Sequence, residues 1–374
     1  MAVIDQYFKY LVEAGGSDLH LSEGQPPKIR VNGTISAISD ENLEGQAFKN
    51  LLAEICDPQA FQKYLEEGDL DFAYEMDETS RFRCNYFKQQ HGLGAVFRLI
   101  PTKIATLEEL GVPTVVKEFA HMRSGLVLVT GPTGSGKSTT LYAMIRDLAR
   151  DEVNIVTLED PVEYHIPGVS QCQINEKTGM TFANGLRAIL RQDPDIISVG
   201  EIRDGETAGI AMRSAITGHL VMSTLHTNDA ISAVYRLRDI GVEPWLVASA
   251  LRGVISQRLV RKICPHCKTA YQPSEEELAL LGMPEDSQTT FYKGVGCPEC
   301  RHTGYVGRRA AFEILMVNRE VRRLVNDDAA YDELLAAAKK NGYRTMRDSC
   351  RDLVLRGITT AEEAARTINS TLDE

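Results

Sequence analysis

The pattern of apolar and polar positions divides the chain near residue 100. Before that point, Ile4, Phe8, Leu11 and Val12 recur at helical spacing, and Gly15-Gly16 stops the run. Asp18-Leu19-His20-Leu21 alternates as a strand does. Lys28-Ile29-Arg30-Val31, the turn Asn32-Gly33 and Thr34-Ile35 carry a β-hairpin signature. Helical text from Asn42 to Leu65 precedes three strand-like runs, Asp69 to Tyr74, Ser80 to Lys88 and Gly94 to Ile100. These elements predict a small α+β domain over 1–100, followed by a hinge over 101–106 that opens on Pro101.

The second part, 107–374, alternates strand and helix. Strands are expected at Leu126 to Val129, Asn154 to Leu158, Asp195 to Val199 and Leu220 to Leu225, with helices between them at Phe182 to Arg191 and Glu206 to Ala215. This is the rhythm of an α/β sheet, whose functional residues gather at the carboxyl ends of the strands. Ala230 to Ile240 and Pro244 to Val260 read as helices, and a stretch rich in Cys, Pro and Gly follows. From Arg319 onward the text is helical again, with Thr360 and Glu363 spaced as a capping box.

Composition narrows the class. With 374 residues, 43% hydrophobic and 25% charged, the chain is long enough for two or three globular domains. No apolar run approaches the ~20 residues of a membrane span, and Met1 to Lys9 lacks a secretory signal's order, so a cytoplasmic location is expected. The 41 basic and 52 acidic residues give a net charge of −11, which disfavours a broad nucleic-acid surface.

Between the first strand of the second part and its helix stands Gly131-Pro132-Thr133-Gly134-Ser135-Gly136-Lys137-Ser138, a complete phosphate-loop motif, with Thr139 opening the helix behind it. Its glycines let successive N–H groups turn inward on phosphate oxygens at a helix amino terminus. Lys137 reaches the β and γ phosphates, and Ser138 is a ligand for Mg²⁺. Carboxylates follow two later strands. Glu159-Asp160-Pro161-Val162-Glu163 offers a group to orient and deprotonate water, and Glu201 one to hold Mg²⁺. His219 opens the last strand and His226 closes it, so His226 can face the γ-phosphate while His219 lies at the far end.

Cys264-Pro265-His266-Cys267 and Cys297-Pro298-Glu299-Cys300 are two C-x-x-C pairs 29 residues apart. Four thiolates suit a closed tetrahedral Zn²⁺ site, with a redox pair as the rival reading and His266 and His302 as spare ligands. Cys56, Cys84, Cys172 and Cys350 stand alone and are expected to be buried thiols.

Together, the phosphate loop, Glu159 to Glu163, the run Leu190 to Asp204 and the segments Thr217 to Leu220 and Ser223 to Asn228 resemble the type II secretion and type IV pilus motor ATPase family. Gly16 to Leu21 extends the likeness to the first domain. The resemblance implies a RecA-like P-loop ATPase domain over 107–374, preceded by a PAS-like α+β domain, with a zinc-knuckle insertion over 264–300 and a helical carboxyl terminus over 319–374. It implies Glu159 as general base with Glu163 in the same acidic box, Glu201 as the Walker B acid, and His219 and His226 as nucleotide sensors. Arg81, Arg83 and Arg98 match arginines that the first domain supplies to the nucleotide; on spacing alone they are alternate residues of an exposed strand face.

The cofactors so implied are ATP, Mg²⁺ and Zn²⁺. The implied assembly is a homo-hexamer on the cytoplasmic face of a bacterial inner membrane, working on a platform protein and joined to the membrane through partners alone. The tetracysteine insertion favours an assembly or secretion motor over a retraction motor, although in length the chain is similar to the retraction type. A nucleic-acid translocase is the rival class and requires a basic pore.

Overall fold

The structure, a computed structural model, describes residues 2–31, 34–77, 80–101 and 104–370. The expected turn at Asn32-Gly33 and part of the expected hinge, Thr102 and Lys103, lie outside the described residues. The chain divides into two compact units, 1–103 and 104–374.

The first unit opens with helix α1 (Asp5–Glu13) and strands β1 (Asp18–Ser22), β2 (Lys28–Val31) and β3 (Thr34–Ala37). Helices α2 (Gly45–Ala53) and α3 (Pro58–Glu67) follow, then β4 (Asp69–Asp77), β5 (Ser80–Gln89) and β6 (Gly92–Pro101). The single helix read from Asn42 to Leu65 is therefore two, because Asp57 caps α3 through the Gln59 and Ala60 N–H groups and Pro58 takes its first turn. The strands form one sheet in the order β3-β2-β1-β6-β5-β4, with antiparallel neighbours throughout. Phe82, Cys84 and Tyr86 point to the helices and are fully buried with Phe8, Tyr64 and Phe97, while Arg81, Arg83 and Asn85 take the opposite face. Truncating one of these core aromatics costs about 3–5 kcal/mol.

The second unit begins with α4 (Leu107–Leu110), α5 (Thr114–Ala120), β7 (Gly125–Thr130), α6 (Lys137–Leu148), β8 (Ile155–Glu159) and β9 (Val169–Gln173). It continues through α7 (Phe182–Ile189), β10 (Ile196–Val199), α8 (Gly205–Ile216), β11 (Leu220–Leu225), α9 (Ser232–Asp239), α10 (Pro244–Ala250) and β12 (Leu251–Ile263). After β13 (Lys268–Tyr271), α11 (Glu275–Leu280), β14 (Phe291–Gly294) and β15 (Tyr305–Met316) come α12 (Arg319–Asn326), α13 (Tyr331–Lys340), α14 (Met346–Leu355) and α15 (Ala361–Asn369).

Seven strands make the main sheet, in the order β15-β12-β7-β11-β10-β8-β9. All neighbours are parallel except the β12 and β15 pair. Strand β7 is buried on both faces, Leu126 and Leu128 entering one core and Val127 and Val129 the other, which is why it reads as a continuous apolar run.

Two expectations are corrected. The helix read over Pro244 to Val260 ends at Ala250, and Leu251 to Ile263 is a strand held between β7 and β15. Its two buried faces erase the alternation that would have marked it, although Val254, Ile255, Val260 and Ile263 carry a β-branched signal. At the last helix only half of the capping box forms. Thr360 Oγ1 accepts the Glu363 N–H at 3.1 Å, but the Glu363 carboxylate turns to Arg261, 2.5 Å from its guanidinium and 3.1 Å from its backbone N. A charge-assisted pair outweighs one neutral cap bond.

Candidate functional site: a phosphate loop ringed by strand-end acids

The phosphate loop leaves the carboxyl end of β7 and enters α6 at Lys137. Gly131 has φ +134° and Gly136 φ +88°, and a Cβ on Gly131 would stand 2.4 Å from the Gln257 carbonyl oxygen. Only glycine fits where the loop backs onto β12. Gln257 clamps that contact. Its amide nitrogen donates to the Ser135 carbonyl at 2.8 Å, and its amide oxygen accepts from Thr140 Oγ1 at 2.9 Å. Helical spacing over Pro244 to Val260 conceals Gln257, because the role of its side chain depends on β12 lying beside the loop; the sequence signal for it is a polar Ser256-Gln257-Arg258 step between β-branched and apolar residues.

Lys137 is buried, and its ammonium donates to the carbonyls of Gly131 at 2.8 Å and Pro132 at 3.0 Å. Burial pushes its pKa down, and Glu201 pulls it back up. The side-chain hydroxyls of Thr130 and Ser135 are buried without a hydrogen-bond partner among the described residues. An ammonium spent on its own loop and unpaired hydroxyls beside it fit a site made for a phosphate chain. Pro132, Ser138 and Thr139 are half-buried, and Thr133 and Gly134 are exposed.

Glu201 follows β10, and its segment is held from both sides. Gly200 donates to the Leu158 carbonyl at 2.7 Å, and Thr224 Oγ1 donates to the Gly200 carbonyl at 2.7 Å. The Glu201 carboxylate pairs with Arg203 and lies 3.8 Å from His226 Nε2. Arg203, whose pKa that hydrogen bond raises, also stands 4.0 Å from Asp160. Burial, then Lys137, lowers the pKa of His226, which favours neutral imidazole near neutral pH. Glu201, His226 and Lys137 thus form one electrostatic group.

The other acids sit differently. Glu159 ends β8 buried, and its carboxylate accepts hydrogen bonds from the Tyr142 hydroxyl, from Thr157 Oγ1 at 2.5 Å and from Gln171 Nε2 at 3.0 Å. Glu163 is exposed, and its N–H donates to the Tyr142 hydroxyl at 3.0 Å. Tyr142, on α6 behind the loop, therefore organises the whole acidic segment, a role invisible in the motif itself. Burial and Glu159 push the Tyr142 phenol far above its usual range.

His219 is not brought to the loop of its own chain. It precedes β11, its Nδ1 lies 3.0 Å from the Ser214 carbonyl, and the strand carries His226 roughly 20 Å away at ~3.3 Å per residue.

In the first unit, cross-strand register puts Arg30, Asp18, Arg98 and Arg83 in one row. Asp18 is buried between two of them, 2.8 Å from Arg98 and 3.6 Å from Arg30. Burial would raise its carboxyl, but hydrogen bonds from Ser17 and Arg98 outweigh it and hold it below the usual carboxylate range. Arg83 is exposed opposite Arg98, a like-charge pair that costs stability. Arg81 is half-buried, 3.7 Å from a Glu75 carboxylate oxygen.

The cysteine pairs converge. The sulfurs of Cys264, Cys267, Cys297 and Cys300 all lie within 4.8 Å of one another. The contacts Cys264 to Cys297 and Cys267 to Cys300 are 3.8 Å, and Cys297 to Cys300 is 3.7 Å. Corners of a tetrahedron around a metal at ~2.3 Å would stand about 3.8 Å apart, so the donors fit a tetrahedral thiolate site. Cys300 Sγ also accepts N–H groups of Cys297 and Gly304, each at 3.2 Å, as a thiolate does. His266 and His302 are exposed and outside the cluster. Of the lone cysteines, Cys84 and Cys350 are buried, whereas Cys56 and Cys172 are half-buried.

No helix among the described residues is long and apolar enough to cross a membrane. The model of the family described as Type II/IV secretion system protein matches residues 1–366. The type IV pilus assembly ATPase PilB of Thermus thermophilus is 48% identical over 351 residues, which is 91% of this chain and 38% of that protein. The type II secretion system protein E of Pseudomonas aeruginosa is 46% identical over 368 residues, 95% of this chain and 72% of that one. The chain thus spans 38% of one of these relatives and 72% of the other. A crystal structure of the pilus retraction motor PilT with bound ADP superposes with a TM-score of 0.79 at 34% identity, covering 98% of this chain and 97% of that one. With a matching family model over nearly its full length and relatives this similar, the chain is a member of the Type II/IV secretion system protein family.

Proposed function

We propose that the chain is a Mg²⁺-dependent ATPase that works as a homo-hexameric ring and drives a pilus-assembly or secretion machine from the cytoplasmic face of a bacterial inner membrane, through a platform protein. The observation that carries this reading is the group formed by Lys137, Glu201 and His226 at the phosphate loop. The likeness to an ADP-bound motor supports the nucleotide. The relatives named for pilus assembly and type II secretion, together with the cysteine cluster, favour assembly or secretion over retraction.

In this reading the loop amides bind the phosphate chain, and Lys137 exchanges the Gly131 and Pro132 carbonyls for the β and γ phosphates. Ser138 and Glu201 would hold Mg²⁺, which supplies charge neutralisation of the leaving phosphate. Glu159 receives the proton of the attacking water; its Oε1 accepts two hydrogen bonds and its Oε2 one, which leaves an acceptor position on Oε2 for that water. His226 reports the γ-phosphate to the segment behind it; the sensing role that the family resemblance implies for His219, at the other end of β11, requires contacts outside the phosphate loop of its own chain. We assign to Arg81, Arg83 and Arg98 the neutralisation of the transferring phosphoryl group.

Phosphate release by the purified chain with Mg²⁺ and ATP, combined with native mass measurement, tests the reading. Turnover by an assembly of about six times 41.4 kDa is expected. A monomer without turnover, or turnover that requires single-stranded DNA, would refute it.

We also assign one Zn²⁺ per chain to the four cysteines. A Cys264→Ser, Cys297→Ser double variant should be metal-free by elemental analysis and melt lower by roughly 10 °C. Protein purified without zinc that is metal-free yet as stable as the metal-loaded form would contradict the assignment.

A further inference from the structure

Strand β15 carries a carboxylate that the proposed chemistry does not use. Glu313 is 5% exposed and accepts three hydrogen bonds from two distant segments. The Ala230 N–H reaches one oxygen at 3.2 Å and the Tyr343 hydroxyl reaches the same oxygen at 3.1 Å. The Met346 N–H, in the first turn of α14, reaches the other at 2.6 Å.

Ala230 stands four residues after His226. The segment between them is tethered at intervals. His226 faces Glu201, Asn228 Oδ1 accepts from Arg258 at 3.4 Å, and Asp229 Oδ1 accepts from the Ser232 N–H at the start of α9 at 2.7 Å. Glu313 is the tether at its far end, and it fixes that end to the carboxyl-terminal helices.

We propose that Glu313 is a positioning residue: its carboxylate pins the segment after His226 to the start of α14 and so sets where His226 stands beside Glu201 at the phosphate loop. The proposal rests on the ATPase reading above.

The geometry is costly to build by chance. Burying a carboxylate disfavours its ionised form, and the three donors at the amino terminus of α14 and the end of the His226 segment compensate only while they converge on it. If the segment shifts outward, the Ala230 N–H withdraws and the carboxylate loses a donor. The groups that face it are Tyr343 before α14, Cys350 on α14, Tyr331 on α13, and Asp229 before α9. On the neighbouring strand β12, Ser256 stands opposite Glu313 and the buried Arg258 lies two residues on along the same face, while the three hydrogen bonds hold the carboxylate itself. Burial raises the Glu313 carboxyl to about 7, against the pull of the Met346 N–H, so the tether changes protonation near neutral pH.

The test is Glu313→Gln in the full chain. Glutamine keeps the size but sets an amide N–H where an acceptor stood. The expected result is a kcat about tenfold lower, with the Kd for a fluorescent ATP analogue within about twofold of the unchanged protein. An inflection of log kcat between pH 6 and 8 is expected in the unchanged protein and its loss in the variant. A folded variant with unaltered kcat and pH profile would overturn the proposal, as would a Kd that weakens in step with kcat.

Should Glu313→Gln fail to fold, Tyr343→Phe removes one donor and leaves the carboxylate in place. It should lower kcat about two- to threefold at constant Kd, and an unchanged kcat there would equally overturn the proposal. An unchanged protein that hydrolyses no ATP refutes the ATPase reading itself, a result distinct from a working enzyme indifferent to Glu313.

Discussion

Replacing Lys137 with alanine is expected to weaken ATP binding by about 100-fold and to remove measurable turnover. A charge-assisted bond from one ammonium to phosphate oxygens contributes about 3 kcal/mol, which is a factor of about 100 in Kd. The substitution should leave the fold intact. Lys137 is buried with its charge disfavoured by desolvation, and it bonds two carbonyls of its own loop. Alanine gives up those bonds but also relieves the buried charge, so the melting temperature should move by only about 2–4 °C. Titration of a fluorescent ATP analogue beside a thermal melt reads both quantities. Normal hydrolysis by Lys137→Ala would refute the site.

Glu201→Gln separates binding from chemistry. The variant should bind ATP within roughly threefold of the unchanged protein, because loop amides and Lys137 remain, yet hydrolyse it about 100- to 1000-fold more slowly. On the proposed reading the loss would arise because the neutral amide holds Mg²⁺ less well and no longer fixes Arg203 and His226 electrostatically. Arg203 keeps Asp160 at 4.0 Å, so no guanidinium is stranded. A paired measurement of Kd and single-turnover hydrolysis distinguishes this from Lys137→Ala, which fails at binding. Equal losses in both parameters would place Glu201 in ground-state binding instead.

Much of this arrangement is legible in the residues, for reasons that are local. The run Leu126 to Val129 is apolar without alternation because both of its faces are buried, and the glycines after it announce a loop. The cysteine spacing announces two knuckles whose meeting needs no other knowledge of the fold. Arg81 and Arg83 declare one strand face by alternation, but their row with Arg98, Asp18 and Arg30 depends on cross-strand register, which no single stretch encodes.

What stayed hidden is long-range. Strand β12 pairs with β7 more than a hundred residues earlier and with β15 about fifty later, so its two buried faces look like a helix from sequence alone. Missing β12 concealed Gln257 beneath the loop. Tyr142 and Gln171 could not be linked to Glu159 without the turn that folds the acidic segment back on α6. The places of His219 and His226 at opposite ends of β11 are legible from their spacing, but the electrostatic link of His226 to Glu201 and Lys137 is not.

The most direct test of the central claim is a crystal structure of the chain with Mg²⁺ and a non-hydrolysable ATP analogue. The Lys137 ammonium is expected to leave the Gly131 and Pro132 carbonyls for the β and γ phosphates, with Ser138 and Glu201 at the metal. A nucleotide bound elsewhere, or Lys137 still on those carbonyls with the phosphates in place, would contradict it.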